Sequence, residues 1–256
     1  MGVELPAQEA GLIGPRPPAG PRYIARLTHV REVSLRGSAD LAFWERRLRS
    51  EGLAPVPRAA KAEIVVLAAA ARFAGKAFTE VSFSVAASEM ETAEGTDGVF
   101  LIQAFNSSRL LTFCERVFFS TPYVHAECFA SASAPVQIRV AMRGGAVFSA
   151  QQGSGDEQGR DLSRKEVERS ELSIFLPRTR PHKGRRGGMF HALLEGPLRT
   201  YAFQPGADTM ILRPPAGPSP IRDLVESGFA AEEWSVREDG EHARSATRRR
   251  NCATPR

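Results

Sequence analysis

The feature that most constrains this chain is a strict two-residue alternation. From Phe78 to Ala86, Phe78, Glu80, Ser82 and Ser84 fall on one face, and Thr79, Val81, Phe83 and Val85 on the other. That is the period of a half-buried β-strand, not of a helix. Further strand-like runs surround it. Ala62–Ala71 and Gly98–Phe105 are apolar and partly β-branched, and Tyr23–Leu35 alternates loosely as strand or mixed structure. Tyr123–Ala132, Val136–Met142 and Ala146–Gln151 follow, with Arg143-Gly144-Gly145 turning the last two into a hairpin. Leu172–Leu176, Met189–Leu194, Leu198–Phe203 and Thr209–Leu212 continue the pattern.

Three segments break the period. Leu41, Trp44 and Leu48 recur at helical spacing after Ser38-Ala39-Asp40, and Gly52 stops that helix. Ser107 or Ser108 caps a second helix running to Phe119, with Leu110, Leu111, Cys114, Val117 and Phe118 as its apolar stripe. Ile221–Gly228 reads as a third. Alternating βαβ units are missing, so the expectation is an α+β fold, mainly antiparallel β, built as a barrel or bent sandwich with a few helices.

Composition sets the outer limits. The 256 residues are 42% hydrophobic and 25% charged, ordinary for one large domain or two small ones. Residues 1–22 read as a flexible Pro/Gly-rich leader, 23–243 as the folded domain and 244–256 as a disordered basic tail. The net charge of +5 is concentrated in that tail, at Arg244, Arg248, Arg249, Arg250 and Arg256. With no aromatic residues interleaved there, the tail reads as a solvated segment and no nucleic-acid partner is expected. Cys114, Cys128 and Cys252 have no metal spacing, and the scattered histidines form no HxH or HExxH, so neither a metal nor a cofactor is expected. The longest apolar run, Ile64–Ala71, is far too short to cross a bilayer, so no membrane partner is expected and a cytoplasmic protein is the default. Homo-oligomerisation is left open.

Candidate chemistry clusters in the middle of the chain. Tyr123 and His125 lie two residues apart in an extended segment, so they share a face just after Phe118 and Phe119. The phenol could donate to a developing oxyanion, and the imidazole could move protons near neutral pH; each could equally be structural. Glu80 becomes a proton-transfer candidate if its strand face lines a cavity, and is an exposed strand residue otherwise. Arg72 and Arg116 are candidate anchors for an anionic group. Asn106 is a turn residue or a ligand contact, and Tyr201, between Arg199 and Phe203, could line a barrel.

Several segments together resemble the acetoacetate decarboxylase-like superfamily over roughly 63–245. They are Arg72-Phe73-Ala74-Gly75 before Phe78-Thr79-Glu80; Gly98-Val99-Phe100 before Asn106-Ser107-Ser108-Arg109; Arg116 with the Phe118–His125 run; and Glu195-Gly196-Pro197-Leu198-Arg199 followed by Asp208, Arg213 and Pro214. The resemblance implies a cone-like antiparallel β-barrel with peripheral helices around a mostly apolar pocket. It also implies that Glu80 is the family's pocket glutamate and that Arg116 matches an arginine upstream of the family's lysine pair. The decarboxylases carry that pair directly after a proline, and its first lysine forms a Schiff base with the substrate. Here Pro122 is followed by Tyr123 and Val124. The implied function is therefore an enzyme without the lysine nucleophile, in secondary metabolism. It would perform enolisation, dehydration, aldol-type chemistry or cyclisation on a small carbonyl or carboxylate compound, as a lyase, cyclase or isomerase. The alternative is a non-catalytic small-molecule-binding protein.

Overall fold

The computed structural model describes residues 21–90, 96–143, 145–153, 161–178 and 187–250. In chain order the elements are β1 (Tyr23–Ala39), α1 (Leu41–Arg49), β2 (Leu53–Pro55), β3 (Pro57–Arg58), β4 (Lys61–Phe73), β5 (Lys76–Glu89) and β6 (Asp97–Asn106). Then come α2 (Arg109–Phe118), β7 (Tyr123–His125), β8 (Glu127–Ser131), β9 (Gln137–Met142), β10 (Gly145–Gln151) and β11 (Asp161–Phe175). The chain finishes with β12 (Gly188–Ala202), β13 (Thr209–Leu212), α3 (Pro220–Glu226), β14 (Ala230–Ser245) and β15 (Arg248–Arg249). The larger sheet runs β2-β5-β4-β1-β14-β12-β11-β6-β7, and β5 also pairs with β6, so the strands from β5 round to β6 make a ring. The smaller sheet is β13-β10-β9-β8. Pairing is antiparallel except where β6 meets β11 and β7. This is the α+β, antiparallel-dominated class that the alternation implies.

The two faces of the larger sheet differ in kind. One sends Val33, Leu35, Val66, Ala68, Val81, Phe83, Trp234 and Val236 into the main core. There they meet Ile138, Val140 and Phe148 of the smaller sheet and Trp44 and Leu48 of α1. Phe83 sits edge-on to Phe105 and Phe148, with ring centroids 5.8 and 5.2 Å apart. Burying a side chain of this size contributes about 1.5–3 kcal/mol. A one-residue register slip would turn every one of these groups to the opposite side, so this face holds the pairing in place.

The opposite face mixes polar and small residues with a minor apolar cluster of Val30, Ala69 and Ala71 flanked by Leu27, Leu67 and Phe78. Across it, Arg237, Glu32, Ala69, Glu80, Asn106 and His125 are successive register partners on β14, β1, β4, β5, β6 and β7. The neighbouring row is Ser235, Ser34, Leu67, Ser82, Ala104 and Tyr123. Opposed residues on paired strands share a face, so these two rows form one continuous surface.

The helices begin where side-chain caps allow. Asp40 accepts from the Phe43 N–H at 2.5 Å, and Ser108 from the Leu111 N–H at 3.3 Å. Ser219 caps α3, with a proline in the first turn. No helix among the described residues is long and apolar enough to cross a membrane.

Several expectations change. Tyr123–Ala132 is not one strand: it breaks at Ala126 into β7 and β8, which belong to different sheets. Met189–Leu194 and Leu198–Phe203 merge into β12, which absorbs Gly196-Pro197 at an irregularity in register. Gly196 has φ 137° there, and a Cβ would meet the Asp239 carbonyl oxygen at 2.7 Å. β11 starts at Asp161, eleven residues before the expected Leu172, because a charged, exposed stretch is held by its partner strand and not by its own alternation. The described part of the expected basic tail is ordered. Arg244 ends inside β14, β15 pairs with β12, and Arg250 is buried with its Nη2 donating to the Glu51 carbonyl at 2.9 Å. Much of the expected α2 stripe faces outward: Leu110, Val117 and Phe118 are exposed, Leu111 and Cys114 are half-buried, and Thr112, outside the stripe, is the buried residue. The helix is held by polar contacts instead. Thr112 donates to the Ser108 carbonyl, and Glu115 reaches inward to Arg244. The expected leader lies mostly outside the described residues, as do Cys252, His182 and most of the Arg178–Gly188 loop.

Candidate functional site

The site grows from the polar face where β5, β6 and β7 run side by side. β5 places Glu80 opposite Asn106, and β6 places Ala104 opposite Tyr123. Tyr123 therefore sits one row along from Glu80, over an alanine that leaves room for its ring. The Tyr123 phenol lies near enough to the Glu80 carboxyl to lower its pKa, and Asn106 Nδ2 lies 3.5 Å from Glu80 Oε2. Asn106 is itself fixed, with its Oδ1 accepting from the Ser108 N–H at 2.8 Å. It is at once the turn residue before α2 and a neighbour of the acid.

Burial pushes the Glu80 carboxyl up to about 7, and Glu115 pushes the same way. The Tyr123 hydroxyl and the charges of Arg244 and His242 act against the rise. The Tyr123 phenol is raised well above its ordinary range by burial and by the two glutamates. On the neighbouring β8, the Cys128 thiol is pushed up to about 12 by burial first and by Glu80 second. The result is an acid that changes charge near neutrality beside a phenol that keeps its proton. Such a pair can move a proton at one atom while hydrogen-bonding another.

Two further groups enter from positions the sequence does not flag. Arg244 Nη1 lies 2.6 and 2.7 Å from the two Glu115 carboxyl oxygens. Its guanidinium also stacks 4.5 Å from the Phe119 centroid and 4.1 Å from that of Phe190. Thr121 Oγ1 donates to Glu115 at 2.8 Å. At the far end of the row, Glu32 Oε2 is 2.5 Å from His242 Nε2 and 3.7 Å from Arg237 Nε. Only the ring closure of β14 beside β1 brings these late residues to Glu80, so local pattern carries no sign of them.

The other expected site residues lie elsewhere. His125 shares the row with Glu80 but stands at its end on the edge strand β7. There it is exposed, in a surface groove of about 460 Å³ with Arg109, Thr112, Phe113, Arg116 and Val117. Arg116 is on the outer side of α2, since Glu115 beside it takes the inward direction. Arg72 is exposed at the turn end of β4, opposite Ala77. Tyr201 is buried in the main core, opposite Trp234. Of the seven expected residues, the fold therefore gathers Glu80, Tyr123 and Asn106.

No protein-family model matches this chain, and no curated protein does. Solved structures do match. Acetoacetate decarboxylase from Legionella pneumophila superposes with a TM-score of 0.58 at 13% identity, over 94% of this chain and 93% of that one. The enduracididine biosynthesis enzyme MppR complexed with pyruvate gives 0.57 at 12%, over 94% and 93%. An acetoacetate decarboxylase-like enzyme from Sphingomonas wittichii gives 0.53 at 13%, over 88% and 92%. At these identities the likeness establishes a shared fold: the chain has the fold of acetoacetate decarboxylase-like proteins.

Proposed function

We propose that this protein is an acid–base enzyme for a small carbonyl or carboxylate compound, working in a cone-like barrel pocket without a Schiff-base lysine. The observation that carries the reading is the half-buried Glu80 carboxyl, raised to about 7 beside the Tyr123 phenol. Glu80 takes a proton from the carbon beside the carbonyl, and Tyr123 donates a hydrogen bond to the oxygen that gains charge. Enolisation is the step common to the dehydrations, aldol-type reactions and cyclisations that such a site could support. Among the described residues the lysines are Lys61, Lys76 and Lys165, and each is exposed, which favours chemistry without an imine. That MppR binds pyruvate supports a small 2-oxo acid as the first compound to try.

The test is methyl-proton exchange of pyruvate in D2O, followed by NMR. The wild-type protein should exchange these protons faster than buffer, and Glu80→Gln should lose about a thousandfold of that rate. Tyr123→Phe should lose about a hundredfold. Borohydride added with pyruvate should leave the protein mass unchanged. A trapped adduct would overturn the lysine-free reading, and an unimpaired Glu80→Gln would overturn the role of the acid. Binding of pyruvate without exchange would favour a non-catalytic binder, the reading suggested by Tyr123 and Val124 standing where the family's decarboxylases keep amines.

A further inference from the structure

We propose that His242 is a second proton-transfer group of the Glu80 site, with Glu32 as its positioning residue. The inference rests on the reading of Glu80 given above. Glu32, Ala69 and Glu80 are register partners on three adjacent strands and share one face. Their backbones are two strand spacings apart, roughly 9.6 Å. The residue in register between the two glutamates is the small Ala69, which packs with Val30 and Ala71 beside Leu67 and Phe78.

The Glu32 end is built to hold an imidazole. Glu32 keeps 4% of its side chain exposed, and its Oε2 lies 2.5 Å from His242 Nε2. Arg237 is anchored independently, with Nη1 donating to the Gly196 carbonyl at 2.7 Å and the Glu168 carbonyl at 3.2 Å. Its Nε faces Glu32 at 3.7 Å. Glu32 is thus fixed by a rigid cation on one side and orients the His242 ring on the other. Binding Nε2 leaves Nδ1, which makes no hydrogen bond to a described residue. His242 also keeps 16% exposure, against 4% for its acid. A carboxylate on one imidazole nitrogen fixes the tautomer and leaves the other nitrogen to react.

The site needs such a group. Tyr123 can stabilise charge on the carbonyl oxygen, but a phenol held this far above neutrality does not readily deliver its proton. With His242 the enolisation balances. The C–H bond breaks and its proton goes to the Glu80 carboxylate. The C–H electron pair forms the C=C bond, and the carbonyl π pair moves to oxygen. Protonated His242 gives its Nδ1 proton to that oxygen, and exchange with water resets both groups.

The experiment uses the full chain, pyruvate and the histidine ring signals in 1H–15N spectra, with the His242 signal assigned by its loss in His242→Gln. Pyruvate is expected to move the His242 signal in both the wild type and Glu80→Gln. His242→Gln is expected to lose about a hundredfold in kcat for methyl exchange with KM unchanged. Glu32→Gln should shift the ring signal before pyruvate is added and lose most of kcat. A His242 signal that pyruvate leaves in place overturns the proposal, and because it is read on the wild type it does not depend on the variants folding. A folded His242→Gln with wild-type kcat overturns it as well. A fully active Glu80→Gln sinks the earlier reading, whereas a Glu80-dependent enzyme with an unmoved His242 signal sinks this one alone.

Discussion

Glu32 and Glu80 occupy the same row of the same sheet face, two strands apart, yet the fold treats them differently. Glu32 lies against Arg237 and His242, two groups that can carry positive charge. Glu80 lies against a phenol and an amide, and the nearest full charges act from farther off. Burial raises the Glu80 carboxyl, and Tyr123 and the charges of Arg244 and His242 only partly offset that rise. Glu32 is buried and Glu80 half-buried, and their neighbours differ: charged groups at Glu32, a phenol and an amide at Glu80.

The sharpest way to break this contrast is to remove the charge that Arg237 faces. Glu32→Gln should destabilise the protein by about 3–5 kcal/mol, because it leaves a buried guanidinium without its counter-charge. Urea unfolding reads the change, and a loss below about 1 kcal/mol, the scale of an exposed ion pair, would refute the assignment.

Glu80→Gln should act in the opposite direction, and only above acid pH. With the carboxyl raised from 4.5 to about 7, the folded protein keeps a proton that the unfolded chain releases between those values. Wild-type stability should therefore fall as pH rises from 4.5 to about 7 and stay lower above it. The glutamine variant should lack this fall and be more stable at alkaline pH, by up to about 3 kcal/mol. Parallel stability–pH curves for the two proteins would contradict the raised value.

Arg244→Met should cost roughly 2 kcal/mol, less than the Glu32 change because the Arg244–Glu115 pair keeps some contact with solvent. Thermal unfolding measures it. The smallest effect belongs to His125→Asn. With the imidazole exposed in the α2 groove, pyruvate exchange should stay at the wild-type rate, and a large loss would place that edge of the row back in the site.

Strand and helix identity was readable because period and capping are local. The alternation of Phe78–Ala86 and the Asp40 and Ser108 caps all reappear. Glu80 and Tyr123 were legible for the same reason, together with a resemblance carried by short motifs. Arg244 and His242 were not. They stand in a run of arginines and acids whose composition is that of a solvated tail, and their partners Glu115 and Glu32 are 129 and 210 residues away in sequence. The α2 stripe misled for a related reason: helical periodicity says which residues share a face, not which face the sheet receives.

By itself the sequence determined the antiparallel class, the places where the helices start, and one strand with an acid on its small-residue face. Those follow from dihedral preference and side-chain spacing over a few residues. The tertiary structure decided that β14 closes beside β1, that a late histidine and arginine join the early glutamates, and that Tyr123 is enclosed while His125 is left outside. These depend on strand order, and strand order is settled by what the two faces of the sheet can bury together.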